Sequence, residues 1–120
     1  MKNNIIKFGD IYLAQLAGEG SEQKGVRAVI IAQNNMGNLH APTVEIIPLS
    51  SRINKARHLP THVLVKADRS NNLKSDSIAL AEQTSTIDKT KLIRRIGMLT
   101  HEVLVAIGAA RRIQSPFPVA

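Results

Sequence analysis

The side chains that could do chemistry are few, and most of the usual chemistries fail on spacing. His58 and His62 stand four residues apart, the spacing that shares one helix face, but Pro60 lies between them and argues against a helix. His101-Glu102 starts like a zinc-protease motif, yet no second histidine follows at the required position. The carboxylates never cluster as two-metal nucleases need, so no metal site is expected. The chain has no cysteine, which removes thiolate ligands, a thiol nucleophile and disulfides. A nucleophile-elbow serine, a Walker loop and a dinucleotide fingerprint are all absent, and no cofactor is expected. What remains is metal-free chemistry on a phosphodiester. RNA carries its own nucleophile, the 2′-OH beside the scissile phosphate. The protein then has to move protons and to surround the developing phosphorane with cations and donors. A guanidinium beside a hydroxyl on a rigid strand can do much of this. Arg27 opens an apolar strand directly after a Gly-rich loop, and Ser50 and Ser51 close the next strand. Taken alone, an arginine before an apolar run is more often a strand-end charge than a catalyst.

These side chains need short strands to hold them. Asp10–Leu16, Val26–Gln33, Thr43–Ser50, Thr61–Lys66, Ser77–Gln83 and Leu92–Gly97 read as strands. Val26–Gln33 is a near-continuous apolar run, as expected of a strand buried on both faces. Pro48 suggests a bulge or an edge position. Ala17–Gly25, Asn34–Pro42 and Asp68–Asn72 carry turn chemistry. Thr100 is placed to cap a helix running to about Arg112, with Val103, Leu104, Ile107 and Ala110 on one face. Ser115-Pro116-Phe117-Pro118 reads as non-helical. The sum is a mostly β, α+β chain: a small, bent antiparallel sheet or barrel with a C-terminal helix packed on it. We expect a single domain over residues 1–113 and a flexible tail over 114–120.

Composition narrows the partners. The chain has 120 residues, and 43% of them are apolar, an ordinary globular balance for one domain. Phe8, Tyr12 and Phe117 are its only aromatics, too few for recognition by base stacking. The formal charge is +7 and unevenly spread. Residues 51–74 carry six bases against Asp68, and residues 89–112 carry six against Glu102. Such a field favours a polyanion or an acidic protein. The longest apolar run, Val103 to Ala110, is far short of the roughly 20 residues that cross a bilayer. With no signal-like stretch, a soluble cytoplasmic protein is expected.

Six short motifs in sequence resemble one family. Gly9-Asp10-Ile11-Tyr12, the loop Gly20-Ser21-Glu22-Gln23-Lys24-Gly25-Val26-Arg27, and Gln33-Asn34-Asn35-Met36-Gly37-Asn38 with Ala41-Pro42-Thr43-Val44 come first. Ser50-Ser51-Arg52-Ile53-Asn54-Lys55-Ala56, Leu59-Pro60-Thr61-His62-Val63, and Ala81-Glu82-Gln83 with Thr86-Ile87-Asp88-Lys89 follow. In order and register over residues 8–99, they resemble the MazF/PemK/Kid growth-inhibition toxins, most closely the Gram-positive branch. The resemblance implies an SH3-like β-barrel, a homodimer, and a metal-independent endoribonuclease that cuts single-stranded RNA at a short sequence. It also implies a cognate acidic antitoxin as partner.

By position, Arg27 corresponds to that family's catalytic arginine, and Ser50 falls where the branch has threonine. Serine keeps the hydroxyl but loses the methyl that restricts its rotamer. Ala28 stands where the family commonly has proline. Ser21, Glu22, Gln23, Glu82 and Gln83 are candidates for reading unpaired bases, against the alternative of turn and strand-end polarity. Lys24, Arg52 and Lys55 are candidates for phosphate contacts, against the alternative of solvated cations. Two other functions stay open on sequence alone: a gyrase-poisoning toxin of the same fold, and a non-catalytic nucleic-acid-binding regulator.

Overall fold

A computed structural model describes residues 5–53 and 59–119. Seven antiparallel strands and one main helix make the fold. The strands are β1 (Asp10–Ala17), β2 (Lys24–Ile31), β3 (Thr43–Ser50), β4 (His62–Val65), β5 (Ser77–Leu80), β6 (Ser85–Asp88) and β7 (Leu92–Met98). The helices are α1 (Asn35–His40) and α2 (His101–Gln114), with 3-10 turns at Ala81–Gln83 and Lys89–Lys91. The sheet order is β4-β5-β3-β2-β1-β7, with β6 also paired to β3. The expected mostly β architecture with a C-terminal helix is what forms. Among the described residues no helix is long and apolar enough to cross a membrane.

β3 is the strand on which the sheet bends. One edge pairs with β2 through Ile46, Ile47 and Pro48. The other edge pairs with β6 over Thr43–Ile46 and then with β5 at Leu49 and Ser50. Pro48 falls in the gap between those two ladders, where its missing N–H leaves no bond unmade.

Alternation along the strands builds apolar layers on both faces. Ile11, Ile30, Ile47, Leu49 and Val65 pack with Ile107 of α2, against which Val103 and Leu104 also lie. Tyr12, Ala14, Leu16, Val29, Ile31, Val44 and Ile46 form the opposite cluster. Ile, Leu, Val and Ala do almost all of this packing, as three aromatics require. β2 is buried on both faces only over Val29, Ile30 and Ile31; Val26 at its start is 54% exposed.

Four further differences from the sequence reading are local. Asn34–Pro42 reads as turn chemistry, but Asn34 is an N-cap whose side chain accepts the Gly37 N–H, and a six-residue helix follows. The strand read as Ser77–Gln83 stops at Leu80, because the chain turns into a 3-10 bend over Ala81–Gln83. β6 went unread, since Ser85-Thr86-Ile87-Asp88 offers a single large apolar side chain. α2 extends two residues past Arg112, to Gln114.

Candidate functional site

The β2–β3 register decides whether Arg27 and Ser50 can work together. Val29 pairs with Pro48, Ile30 with Ile47 and Ile31 with Ile46. Continuing that register by two residues would set Arg27 opposite Ser50. Both then lie on the face of Val29 and Pro48, because alternate residues share a face. Directly opposed Cβ atoms in a closed pair lie about 5 Å apart. Here the ladder ends at Val29 and Pro48, so Arg27 and Ser50 lie two residues beyond its last pair, at the mouth between the strands, and Ser50 pairs on its other edge with Ile78 of β5.

Each side chain has a local tether. Arg27 donates its Nε–H to the carbonyl of Lys24 at 2.9 Å, which fixes the guanidinium and leaves its terminal nitrogens unbonded among the described residues. The Ser50 hydroxyl accepts the Arg52 N–H at 3.3 Å, so its own proton is available to donate. No acid pairs with Arg27 among the described residues. Lys24 and Arg52 are exposed beside this mouth; Lys55 lies outside the described residues.

The five candidates for base contact come together. Ser21, Glu22, Gln23, Glu82 and Gln83 line one pocket of about 530 Å³, floored by Leu16, Ile46 and Pro48. They are not equivalent in it. Glu22 is exposed, and one of its oxygens accepts the Glu19 N–H at 2.8 Å. Among the described residues the Gln23 side chain makes no hydrogen bond. Glu82 is held by both oxygens, one accepting from Thr61 Oγ1 at 2.8 Å and the other 2.9 Å from His62 Nε2. Burial pushes the Glu82 carboxyl up, but hydrogen bonds from Thr61, its own backbone and His62 outweigh burial and hold it below the usual value. Gln83 accepts the Gln23 N–H at 3.0 Å and donates to the Ser21 carbonyl at 3.3 Å.

A second pocket of about 660 Å³ has Arg27 and Ser51 in its wall together with Lys74, Arg94 and Arg95. The two basic stretches of the sequence therefore meet in space, one supplying Lys74 and the other Arg94 and Arg95. Arg95 also pairs with the buried Asp10 at 3.2 Å. Sequence reading found the basic runs but could not pick these three, because only the fold brings residue 74 beside residue 94. Among the described residues no three His, Asp or Glu side chains converge as a metal site would require.

A family model described as the PemK-like, MazF-like toxin of type II toxin–antitoxin systems matches residues 7–114. The Mycobacterium tuberculosis toxin MazF-mt6 superposes with a TM-score of 0.76 at 25% identity, covering 92% of this chain and 99% of that one. MazF from Deinococcus radiodurans superposes at 0.80 with 17% identity, covering 96% and 100%. An endoribonuclease in complex with its cognate antitoxin, from a mycobacterial species, superposes at 0.72 with 21% identity, covering 98% and 100%. The last two share the fold.

Proposed function

This chain belongs to the PemK-like, MazF-like toxin family of type II toxin–antitoxin systems, and on that premise we propose that it is a metal-independent endoribonuclease acting on single-stranded RNA at a short sequence. The 2′-OH attacks the adjacent phosphorus and loses its proton. The bond to the 5′ oxygen breaks, and that oxygen gains a proton. The fragments end in a 2′,3′-cyclic phosphate and a free 5′-OH. Arg27 takes part in the proton transfer at the leaving oxygen and faces the charge that builds on the phosphorane. Ser50 donates its hydroxyl proton to a phosphate oxygen. Glu22 and Gln23 on the loop read base edges, and Lys24 and Arg52 hold flanking phosphates.

The observation that carries this reading is the strand register, whose continuation past Val29 and Pro48 would put Arg27 and Ser50 on one face of adjacent strands, near the pocket lined by Glu22, Gln23, Glu82 and Gln83. The cations around the second pocket fit a polyanion passing the same mouth. The protein acts as a homodimer in the cytoplasm. An acidic antitoxin holds it in check by covering the groove, as befits a chain of charge +7.

The test is cleavage of a long unstructured transcript with EDTA present, wild type beside Arg27→Ala. Wild type cuts at a defined short sequence, and the variant, folded as judged by its melting curve, does not. RNA with 2′-deoxyribose at the scissile position survives. Cleavage by Arg27→Ala, or of the deoxy substrate, would overturn the assignment.

A further inference from the structure

We propose that Gln83 is a positioning residue, whose side-chain amide latches the β1–β2 loop into the pose that walls the first pocket, so that RNA meets a loop already ordered. This rests on the RNA-cleavage reading above and gives Gln83 a role other than contact with a base.

The loop has little else to hold it. Its own hydrogen bonds are local, from Glu22 N–H to the Glu19 carbonyl and from Glu19 N–H to the Glu22 carboxylate. Glu19, Gly20, Ser21 and Glu22 are all exposed, and Gly20 takes a left-handed φ of +59°. Against this, the Gln83 amide meets the loop backbone with one acceptor and one donor, as a neighbouring strand would. Its Oε1 takes the N–H of Gln23, 60 residues away in sequence, and its Nε2 gives to the carbonyl of Ser21. One N–H and one lone pair of the amide are thereby committed to the loop backbone, half of its hydrogen-bonding capacity.

The other end of the latch is anchored. Gln83 closes the 3-10 turn, in which Thr84 N–H and Thr84 Oγ1 both donate to the Ala81 carbonyl. Ala81 N–H donates to the Thr61 carbonyl. Next to Gln83, Glu82 is gripped by Thr61 and His62. The amide thus projects from a turn tied to β4. Ordering a loop before its ligand arrives removes an entropic cost from binding. The effect belongs in affinity for RNA and much less in the chemical step.

The experiment compares wild type with Gln83→Met, which keeps the side chain's length and loses both bonds, and Gln83→Glu, which keeps the acceptor for Gln23 N–H and loses the donor to Ser21. In the free protein, the Gln23 amide should exchange with solvent about tenfold faster in Gln83→Met, with Gln83→Glu between it and wild type. On RNA, KM should rise about tenfold in Gln83→Met while kcat falls less than about threefold. Unchanged Gln23 exchange overturns the latch. Faster exchange with an unchanged KM overturns the positioning role, and a collapse of kcat at constant KM makes Gln83 part of the chemistry instead. If wild type leaves RNA intact, the cleavage reading fails and the proposal falls with it; a failed latch is told apart because wild-type cleavage then persists.

Discussion

At the scale of single residues, the structure separates two serines that sequence leaves adjacent. Ser50 continues the face of Pro48, two residues past the last β2–β3 pair, whereas Ser51 shares the wall of the second pocket with Arg27. Ser50→Ala should therefore lower kcat by about a hundredfold, the usual loss for one donor to a developing charge. Ser50→Thr should keep most of the rate and Ser51→Ala should cost little, as single-turnover cleavage will show. An equal loss from Ser51→Ala would move the hydroxyl role. Glu82 gives a pH signature. Its carboxyl lies below its ordinary value of 4.5 in the folded chain, because Thr61, its own backbone and His62 prefer it ionised. A lowered carboxylate adds stability that is complete above 4.5 and is lost as pH falls through the folded value. Glu82→Gln should flatten the fall in melting temperature below about pH 4.5. Asp68 and Asp88, also lowered by hydrogen bonds, leave part of that fall in place.

At the scale of elements, the seal between β7 and the 68–72 turn is a tightly constrained contact. Met98 N–H donates to the Ser70 carbonyl at 2.9 Å, and Asn72 Nδ2 donates to the Ile96 carbonyl at 2.7 Å. A Cβ on Gly97 would sit 2.5 Å from the carbonyl oxygens of Ser70 and Asn71, which are backbone and cannot swing aside. Gly97→Ala should destabilise by about 1–3 kcal/mol, a loss of several degrees in thermal unfolding, by forcing the two segments apart. This contact was invisible in sequence, because nothing about residue 97 announces that residue 70 will lie against it. What could be read was whatever periodicity and capping encode. β3 was legible to the residue, since Val44, Ile46, Ile47 and Leu49 are bounded by turn residues on both sides. The face of α2 was legible from Val103, Leu104, Ile107 and Ala110. The helix hidden in Asn34–Pro42 was not, because the Asn and Gly residues that start it are the same ones that make turns. The candidate site residues were named through resemblance. Gln83's attachment to the loop was not legible, since it depends on a fold-back of 60 residues.

At the scale of the whole molecule, charge and the open groove decide the partners. Lys74 and Arg94 come from separate basic stretches and converge on one pocket wall with Arg27. In an Arg27→Ala background, replacing both with alanine should weaken RNA binding across all sequences. It should also reduce the slope of log affinity against log salt by about 1.4, the share of two released counterions on a single strand. A titration by fluorescence anisotropy at several salt concentrations measures this, and a change in preferred sequence instead would make these side chains base readers. The β1–β2 loop adds a consequence for divergence. Glu19 to Glu22 contribute nothing to either apolar cluster. Gly18 is barred from carrying a side chain by the Gln23 carbonyl it faces, and Gly20 is disfavoured from carrying one by its left-handed φ of +59°. Mutations can therefore accumulate at Glu19, Ser21 and Glu22 without taxing the fold, so descendants of this gene are free to change what they recognise while inheriting an unaltered body.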